Sequence, residues 1–238
     1  MKLALFDLDH TLLPIDSADA WSHFVVRAGD LDVEAQVARI RRFADEYRSG
    51  SFDPEEYLAF QMGLLAAFPR ARLDVLRARF VADLIEPNLR PEAFELIDAH
   101  RRQGDELALV TGTNSFVTAP IAALFGLPHL MAVQPEEIHG RFTGRYVGGH
   151  TYGRGKVLAV ERFLAARELE LESLQAVSFY TDSINDLPLL ERVAAIGGRA
   201  VVTNPDAPLR AVARERGWPC LELFATRARF GDPVTDPA

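Results

Sequence analysis

The chain is short of the features that mark a specialised environment. Its 238 residues hold one cysteine, Cys220, so no internal disulfide can form. Nothing near that thiol in sequence would activate it, and it is expected as a small buried apolar residue rather than a nucleophile. No apolar run approaches the roughly 18 residues of a membrane span. The N-terminus lacks a basic stretch leading into a long apolar one, so no signal peptide is expected and the cytoplasm is the default address. Positive charge is in deficit. A formal net charge of −8 argues against non-specific nucleic-acid binding. No internal repeat and no low-complexity segment is visible. The six histidines form no metal-spaced pair. No Gly-x-Gly-x-x-Gly follows the first apolar run, which disfavours a dinucleotide fold. The stretch from Gly149 to Val157 approximates a phosphate loop but fails its spacing: His150 stands where the first glycine belongs, and Val157 replaces the Ser/Thr.

What remains is an ordinary globular composition, 48% hydrophobic and 25% charged, long enough for one large domain or two modest ones. It opens on Leu3-Ala4-Leu5-Phe6, a continuous apolar run suited to a strand covered on both faces. Asp7-Leu8-Asp9-His10-Thr11 then releases two carboxylates and a hydroxyl. Asp is a poor strand residue, so the strand should end at Asp7, and in open α/β sheets chemistry sits just past the carboxyl ends of strands. Two close carboxylates repel unless a cation or a shared proton compensates. On this stretch alone two readings stand: a magnesium site holding a nucleophile or acid/base group, or a strand-to-loop turn with solvated acids.

From residue 16 to residue 87 the pattern is helical. Asp16 or Ser17 can cap a first helix carrying Ala20, Trp21, Phe24 and Val25 on one face. A second helix is expected over 31–47. Asp53-Pro54-Glu55-Glu56 starts a third, with an N-cap acid, proline at N1 and acids in the first turn. Leu73, Leu76, Phe80, Leu84 and Ile85 mark a fourth. The α/β rhythm then resumes: helix 91–103, strand 107–110, helix 116–125, strand 130–133, a hairpin turn over 139–145, helix 153–168, strand 176–180, a short helix 184–190, strands 193–196 and 200–202, helix 206–216 and a last strand 220–223. Strands alternating with helices predict a doubly wound, mostly parallel Rossmann-like sheet. Right-handed crossovers bring the strand ends at Asp7, Thr111 and Asp182 to one edge. The expected organisation is a core of residues 1–15 and 88–225, an all-α cap of residues 16–87 inserted after the first strand, and a loose tail from 226 to 238.

Three stretches join the first. Thr111 and Gly112 follow a strand, where a hydroxyl and exposed N–H groups suit phosphate oxygens; taken alone this is a turn. Lys156 begins a helix, where most lysines are solvated. Asp182-Ser183-Ile184-Asn185-Asp186 sets two acids at the sheet mouth, fit for a hard cation or for a simple helix cap. Together and in order, Asp-x-Asp-x-Thr, Thr111, Lys156 and Asp-x-x-Asn-Asp resemble the haloacid dehalogenase superfamily of phosphotransferases. The helical insert directly after the first motif resembles its phosphoserine-phosphatase-like branch. The resemblance runs from Leu3 to about Leu223. It implies a magnesium-dependent phosphomonoester phosphatase. Asp7 would be the nucleophile that forms an aspartyl-phosphate, and Asp9 the general acid and then base. Thr111, Gly112, Lys156 and Asn185 would hold the phosphate. Mg²⁺ would be held by Asp7, the backbone carbonyl of Asp9, and Asp182, with Asp186 acting through water or from behind. A carboxylate can attack phosphorus only when both negative charges are offset, which a metal and Lys156 would do.

The resemblance also bears on the substrate, a small phosphorylated metabolite. In phosphoserine phosphatases an acid after the first motif meets the amine and a cap arginine meets the carboxylate. Asp16 falls at the acid's place, but no arginine lies between Arg48 and Arg70. A buried carboxylate without a partner is costly. The expectation is therefore a phosphorylated amino alcohol, histidinol phosphate by preference, with phosphoserine second. Trp21, Phe52, Tyr57 and Phe60 can pack an imidazole or simply fill the cap core. From a different class, a phospho-accepting regulator resembling a response-regulator receiver also groups acids, a Thr and a Lys. Such receivers are much shorter and lack a helical cap. The sequence is silent on oligomeric state.

Overall fold

The first strand, β1 (Lys2–Phe6), lies in the middle of a seven-stranded sheet ordered β4-β3-β2-β1-β5-β6-β7. Its pleat explains that place. Leu3 and Leu5 point into one apolar layer, Ala4 and Phe6 into another, and all four side chains are buried. β2 (Glu106–Asn114) and β5 (Ala176–Thr181) flank β1 in parallel, with Phe6 level with Leu109 on one side and Tyr180 on the other. β3 (His129–Ile138) continues the sheet beyond β2, and β6 (Arg199–Thr203) and β7 (Cys220–Leu221) beyond β5, all parallel. Only β4 (Arg141–Val147) runs antiparallel, as the hairpin partner of β3. The chain thus winds outward in both directions from β1. The computed structural model describes residues 1–28 and 31–224, so the expected loose tail lies outside the described residues.

Between β1 and β2 come α1 (Ser17–Ala28), α2 (Val33–Ser49), α3 (Pro54–Ala66), α4 (Arg70–Phe80) and α5 (Pro91–Arg102). Their ends follow local chemistry. Asp16 accepts the Asp19 N–H at 2.8 Å at the start of α1. Asp53 caps α3 through the Glu55 N–H, with Pro54 at the first helical position. Gly50 ends α2 in a left-handed conformation, φ 77°. After α4 the chain passes through one wide turn of π-helix, Val81–Ile85, and a 3-10 turn, Glu86–Asn88. α1 to α4 share one apolar cluster with α5, α6 (Ser115–Leu124) and the sheet face beneath them. α7 (Arg154–Ala165), α8 (Leu187–Ala195) and α9 (Ala207–Arg216) cover the other face. No helix among the described residues is long and apolar enough to cross a membrane.

Four expectations need correction. The strand anticipated at 193–196 does not exist: Val193 lies inside α8, one helical turn from Leu189 and Leu190 on the same buried face, and Gly197 stops the helix. The β-branched residue there reads as a helix position once the start at Pro188 is recognised. The hairpin turn is only His139-Gly140; residues 141–145 belong to β4, which packs on α3. β2 runs to Asn114 rather than stopping at residue 110, because its register with β3 shifts between Val110 and Asn114. Cys220 is exposed, not buried, since β7 is a two-residue edge strand with little packed over it.

Candidate active site

The two winding directions diverge at β1, and the crevice above the carboxyl ends of β1, β2 and β5 is where a doubly wound sheet binds ligands. Asp7 extends β1 by one residue, its N–H donating to the Tyr180 carbonyl at 2.9 Å. Asp182 follows β5 directly. At the shift in β2, Gly112 and Thr113 turn toward the same space. A cavity of about 640 Å³ opens there, lined by Asp7, Asp9, Asp16, Gly112, Thr113, Lys156, Asp182, Asn185 and Asp186 among others. Lys156 reaches it from the first turn of α7. The glycines before Lys156 have separate backbone reasons: a side chain at Gly155 would collide with the His150 carbonyl oxygen, and Gly153 takes a positive φ of 52°.

Lys156 Nζ donates to Asp7 Oδ1 at 2.7 Å and to Asp186 Oδ2 at 2.6 Å. Asp186 Oδ2 also accepts the Thr181 hydroxyl at 2.5 Å. Asp186 thus shares the Lys156 ammonium with Asp7 while lining the same cavity. Asp9 is held differently: Oδ1 accepts the Ser17 N–H at 2.7 Å and Oδ2 the Thr113 hydroxyl at 2.9 Å. Burial pushes Asp7 up to about 7 against the pull of Lys156. It also raises Asp9, opposed by the bonds from Ser17 and Thr113. Burial works against the Lys156 ammonium too, but Asp186 and Asp7 outweigh it and hold Lys156 above its usual range.

The donor set suits a hard divalent cation. Asp7, Asp9, Asp182 and Asp186 line one cavity, where Lys156 is the only lysine or arginine among the described lining residues. Negative charge therefore exceeds positive. Among the described residues no three His, Cys, Asp or Glu side chains converge as a ready metal cage. Magnesium needs less, since it keeps several waters and takes one or two carboxylates. Asp7 and Asp182, both buried, with a backbone carbonyl, fit that pattern.

Asp16, Tyr47, Phe52 and Tyr57 wall the cavity from the helical segment, joined by Tyr152 from the loop before α7. Burial, with Asp9 and Asp19 nearby, raises Asp16 well above the usual carboxylate range. Phe52 contacts Tyr57, Tyr152 and Tyr47, with ring centroids 5.3, 5.8 and 5.4 Å away. Tyr47 shares a 2.8 Å hydrogen bond with Ser183 Oγ, tying α2 to the loop after β5. Tyr152 lies over Gly112, where an added Cβ would sit 2.9 Å from its ring.

The structure brings together Asp7, Asp9, Asp16, Phe52, Tyr57, Gly112, Lys156, Asp182, Asn185 and Asp186. It does not bring Trp21 or Phe60. Trp21 is fully buried, edge-on to Phe80 and Phe116 at 5.4 and 5.8 Å, and Phe60 packs on Phe43; both belong to the helical core. The helical periodicity places Trp21 on the apolar stripe of α1, and that stripe turns away from the cavity. Thr111 is also wholly buried, its hydroxyl accepting the Thr113 N–H at 3.2 Å, while Gly112 and Thr113 line the cavity. His10, given no role in sequence, lines it in a left-handed conformation, φ 58°. Sequence reasoning missed Tyr47, Tyr152 and Thr113. Thr113 carries the same signal as Thr111, a hydroxyl at a strand end. The two tyrosines carry none, because they arrive from distant segments.

Comparison with known proteins gives a consistent picture. Residues 4–191 match the family described as haloacid dehalogenase-like hydrolase. A histidinol-phosphatase of Neisseria meningitidis serogroup C (strain 8013) is 36% identical over 223 residues, covering 93% of this chain and 99% of the relative. Phosphoserine phosphatase SerB1 of Mycobacterium tuberculosis (strain ATCC 25618 / H37Rv) is 35% identical over 243 residues, covering 97% of this chain and 74% of the relative. A solved structure from Bordetella pertussis Tohama I, described as a protein with unknown function, superposes with a TM-score of 0.88 at 43% identity, covering 94% of this chain and 99% of that one.

Proposed function

This chain belongs to the haloacid dehalogenase-like hydrolases, and from that membership we propose a phosphatase for small phosphorylated amino alcohols, with histidinol phosphate as the preferred substrate. The observation that carries the substrate is the cavity wall. Asp16 faces the space beside Phe52, Tyr57 and Tyr152, and no arginine lines the cavity among the described residues. A buried carboxylate beside aromatic rings favours an ammonium, and rings can stack on an imidazole. A substrate α-carboxylate would meet acids and rings but no guanidinium. The histidinol-phosphatase relative agrees with this reading. The phosphoserine phosphatase relative keeps phosphoserine as the second reading.

In this reading Asp7 attacks phosphorus. One of its carboxylate oxygens forms the new P–O bond while the ester P–O bond breaks and its electron pair leaves with the alcohol oxygen. Asp9 gives its proton to that oxygen, so the alcohol departs neutral and Asp7 carries the phosphoryl group. Asp9, now a carboxylate, takes a proton from the water that attacks phosphorus, and Asp7 is freed. Lys156, held by Asp186, orients Asp7 and neutralises phosphoryl oxygens together with the Gly112 N–H and Asn185. Asp7, the Asp9 carbonyl and Asp182 would hold Mg²⁺, which would supply charge compensation when bound. Residues 16–87 act as a cap over the core of 1–15 and 88–225, keeping water out.

The test is a kinetic comparison of L-histidinol phosphate, L-phosphoserine and phosphoethanolamine with magnesium present. The expected order in kcat/KM puts histidinol phosphate first. Phosphoserine ahead by a large factor would overturn the preference, and absence of turnover on every phosphomonoester would overturn the phosphatase.

A further inference from the structure

We propose that Thr113 is a positioning residue that fixes the carboxyl group of Asp9 for proton transfer to the departing alcohol. The inference rests on the assignment of Asp9 as acid and base made above.

Thr113 is buried, 4% exposed, at the register shift that ends the regular pairing of β2. Its hydroxyl donates to Asp9 Oδ2 at 2.9 Å, across the floor of the cavity. The other Asp9 oxygen takes the Ser17 N–H, at the first residue of α1, at 2.7 Å. The carboxyl plane is therefore pinned from two sides, by a strand-end hydroxyl and by a helix N-terminus. Each carboxylate oxygen has two lone pairs, so a site on each remains to carry the proton that is transferred. Without the hydroxyl, the terminal torsion of Asp9, which is broad in aspartate, would be restrained from the Ser17 side alone.

The hydroxyl is also used selectively. Two other buried threonines nearby satisfy backbone: Thr118 donates to the Asn114 carbonyl at 3.0 Å and Thr151 to the Thr111 carbonyl at 2.6 Å. Thr113 instead spends its donor on a carboxylate lining the cavity, as Thr181 does for Asp186 at 2.5 Å. Asp9 and Asp186 thus each accept a strand-end threonine hydroxyl that helps to fix the carboxyl plane. For Asp186 the plane decides where Lys156 sits. For Asp9 it decides where a proton is presented, and proton transfer is geometry before it is pKa.

The step is the first half-reaction. The bond from phosphorus to the ester oxygen breaks with its electron pair on oxygen, the Asp9 proton joins that oxygen, and Asp7 forms the new bond to phosphorus. Protonation matters most when the departing oxygen is strongly basic. A misoriented acid therefore slows alkyl esters much more than aryl esters, and kcat/KM isolates this half because it stops at the first irreversible step.

The test measures kcat/KM for the magnesium-loaded enzyme on aryl and alkyl phosphates of graded leaving-group basicity, in wild type, Thr113→Val, Thr113→Ala, Thr113→Ser and Asp9→Asn. Thermal melts accompany each, and the Ala and Ser variants carry the comparison if Val does not fold. General acid catalysis is worth roughly 10²–10⁴-fold. Asp9→Asn should lose about that on alkyl esters relative to aryl esters. Thr113→Val and Thr113→Ala should show the same leaving-group bias at about a tenfold level, and Thr113→Ser should restore most of it. Equal losses on both ester classes, or a gain on alkyl esters, with the bias intact in Asp9→Asn, would overturn the role of Thr113 alone. No bias in Asp9→Asn would remove the acid assignment and this inference with it.

Discussion

Replacing Asp16 by Asn separates its two jobs. As the residue before α1 it accepts the Asp19 N–H at 2.8 Å, and asparagine is as good an N-cap as aspartate, so the helix start survives. On the proposed function, what changes is the charge offered to a substrate amine. Asparagine still accepts a hydrogen bond. The minimum loss is then the difference between charged and neutral hydrogen bonds, about 1 kcal/mol, or about fivefold in kcat/KM. The maximum is the attraction of two unit charges about 4 Å apart at an effective dielectric near 20, about 4 kcal/mol, or about 10³-fold. The assay is the ratio of kcat/KM for histidinol phosphate to that for an amine-free aryl phosphate. It should fall by at least the lower figure, and the ratio cancels any effect that Asp16 has through its neighbour Asp9. Stability moves the other way. Burial, Asp9 and Asp19 raise the folded-state pKa of Asp16 above its unfolded value. Its contribution is then fully present below the unfolded value and lost as pH rises through the folded one. Asp16→Asn should therefore raise the melting temperature of the metal-free protein at pH 7–8, with the gain shrinking as pH falls toward 4. An unchanged ratio would refute the amine-binding role. A melting temperature that falls at neutral pH would refute the electrostatic reasoning.

Two further outcomes follow from the same geometry. Lys156→Met leaves Asp7 and Asp186 without the ammonium that both touch. Stability of the metal-free protein should fall by about 3–5 kcal/mol, and added magnesium should recover part of the lost melting temperature. Trp21→Ala opens the core between Phe80 and Phe116 and should cost about 3–5 kcal/mol in chemical denaturation. The histidinol-phosphate to aryl-phosphate ratio should not move; a shift there would return Trp21 to the substrate wall.

Much of the site was legible because its residues sit where local signals are strongest. An apolar run ending in Asp7 declares a strand edge by composition alone, and the same holds for Asp182 after 176–181. The start of α3 at Asp53-Pro54 is a capping signal read from adjacent residues. What escaped depends on distance. Tyr47 and Tyr152 reach the cavity from segments more than a hundred residues apart, and nothing in either neighbourhood announces it. Trp21 reads from the sequence as either substrate wall or cap core, and the amphipathic period of α1 turns it inward. Val193 reads as a strand residue by its β-branched side chain, but Pro188 stands at the start of a helix and tertiary packing overrides propensity. The end of β2 is not readable from one sequence, because a register shift such as that between Val110 and Asn114 is a property of two strands.

The most direct test of the account is the covalent state of Asp7 during turnover. Magnesium-loaded enzyme mixed with histidinol phosphate and quenched rapidly in acid should carry one phosphoryl group, labile to hydroxylamine and mapping to Asp7. Asp7→Asn should carry none and show no turnover. Phosphate on another residue, or hydrolysis that persists in Asp7→Asn, would contradict the account.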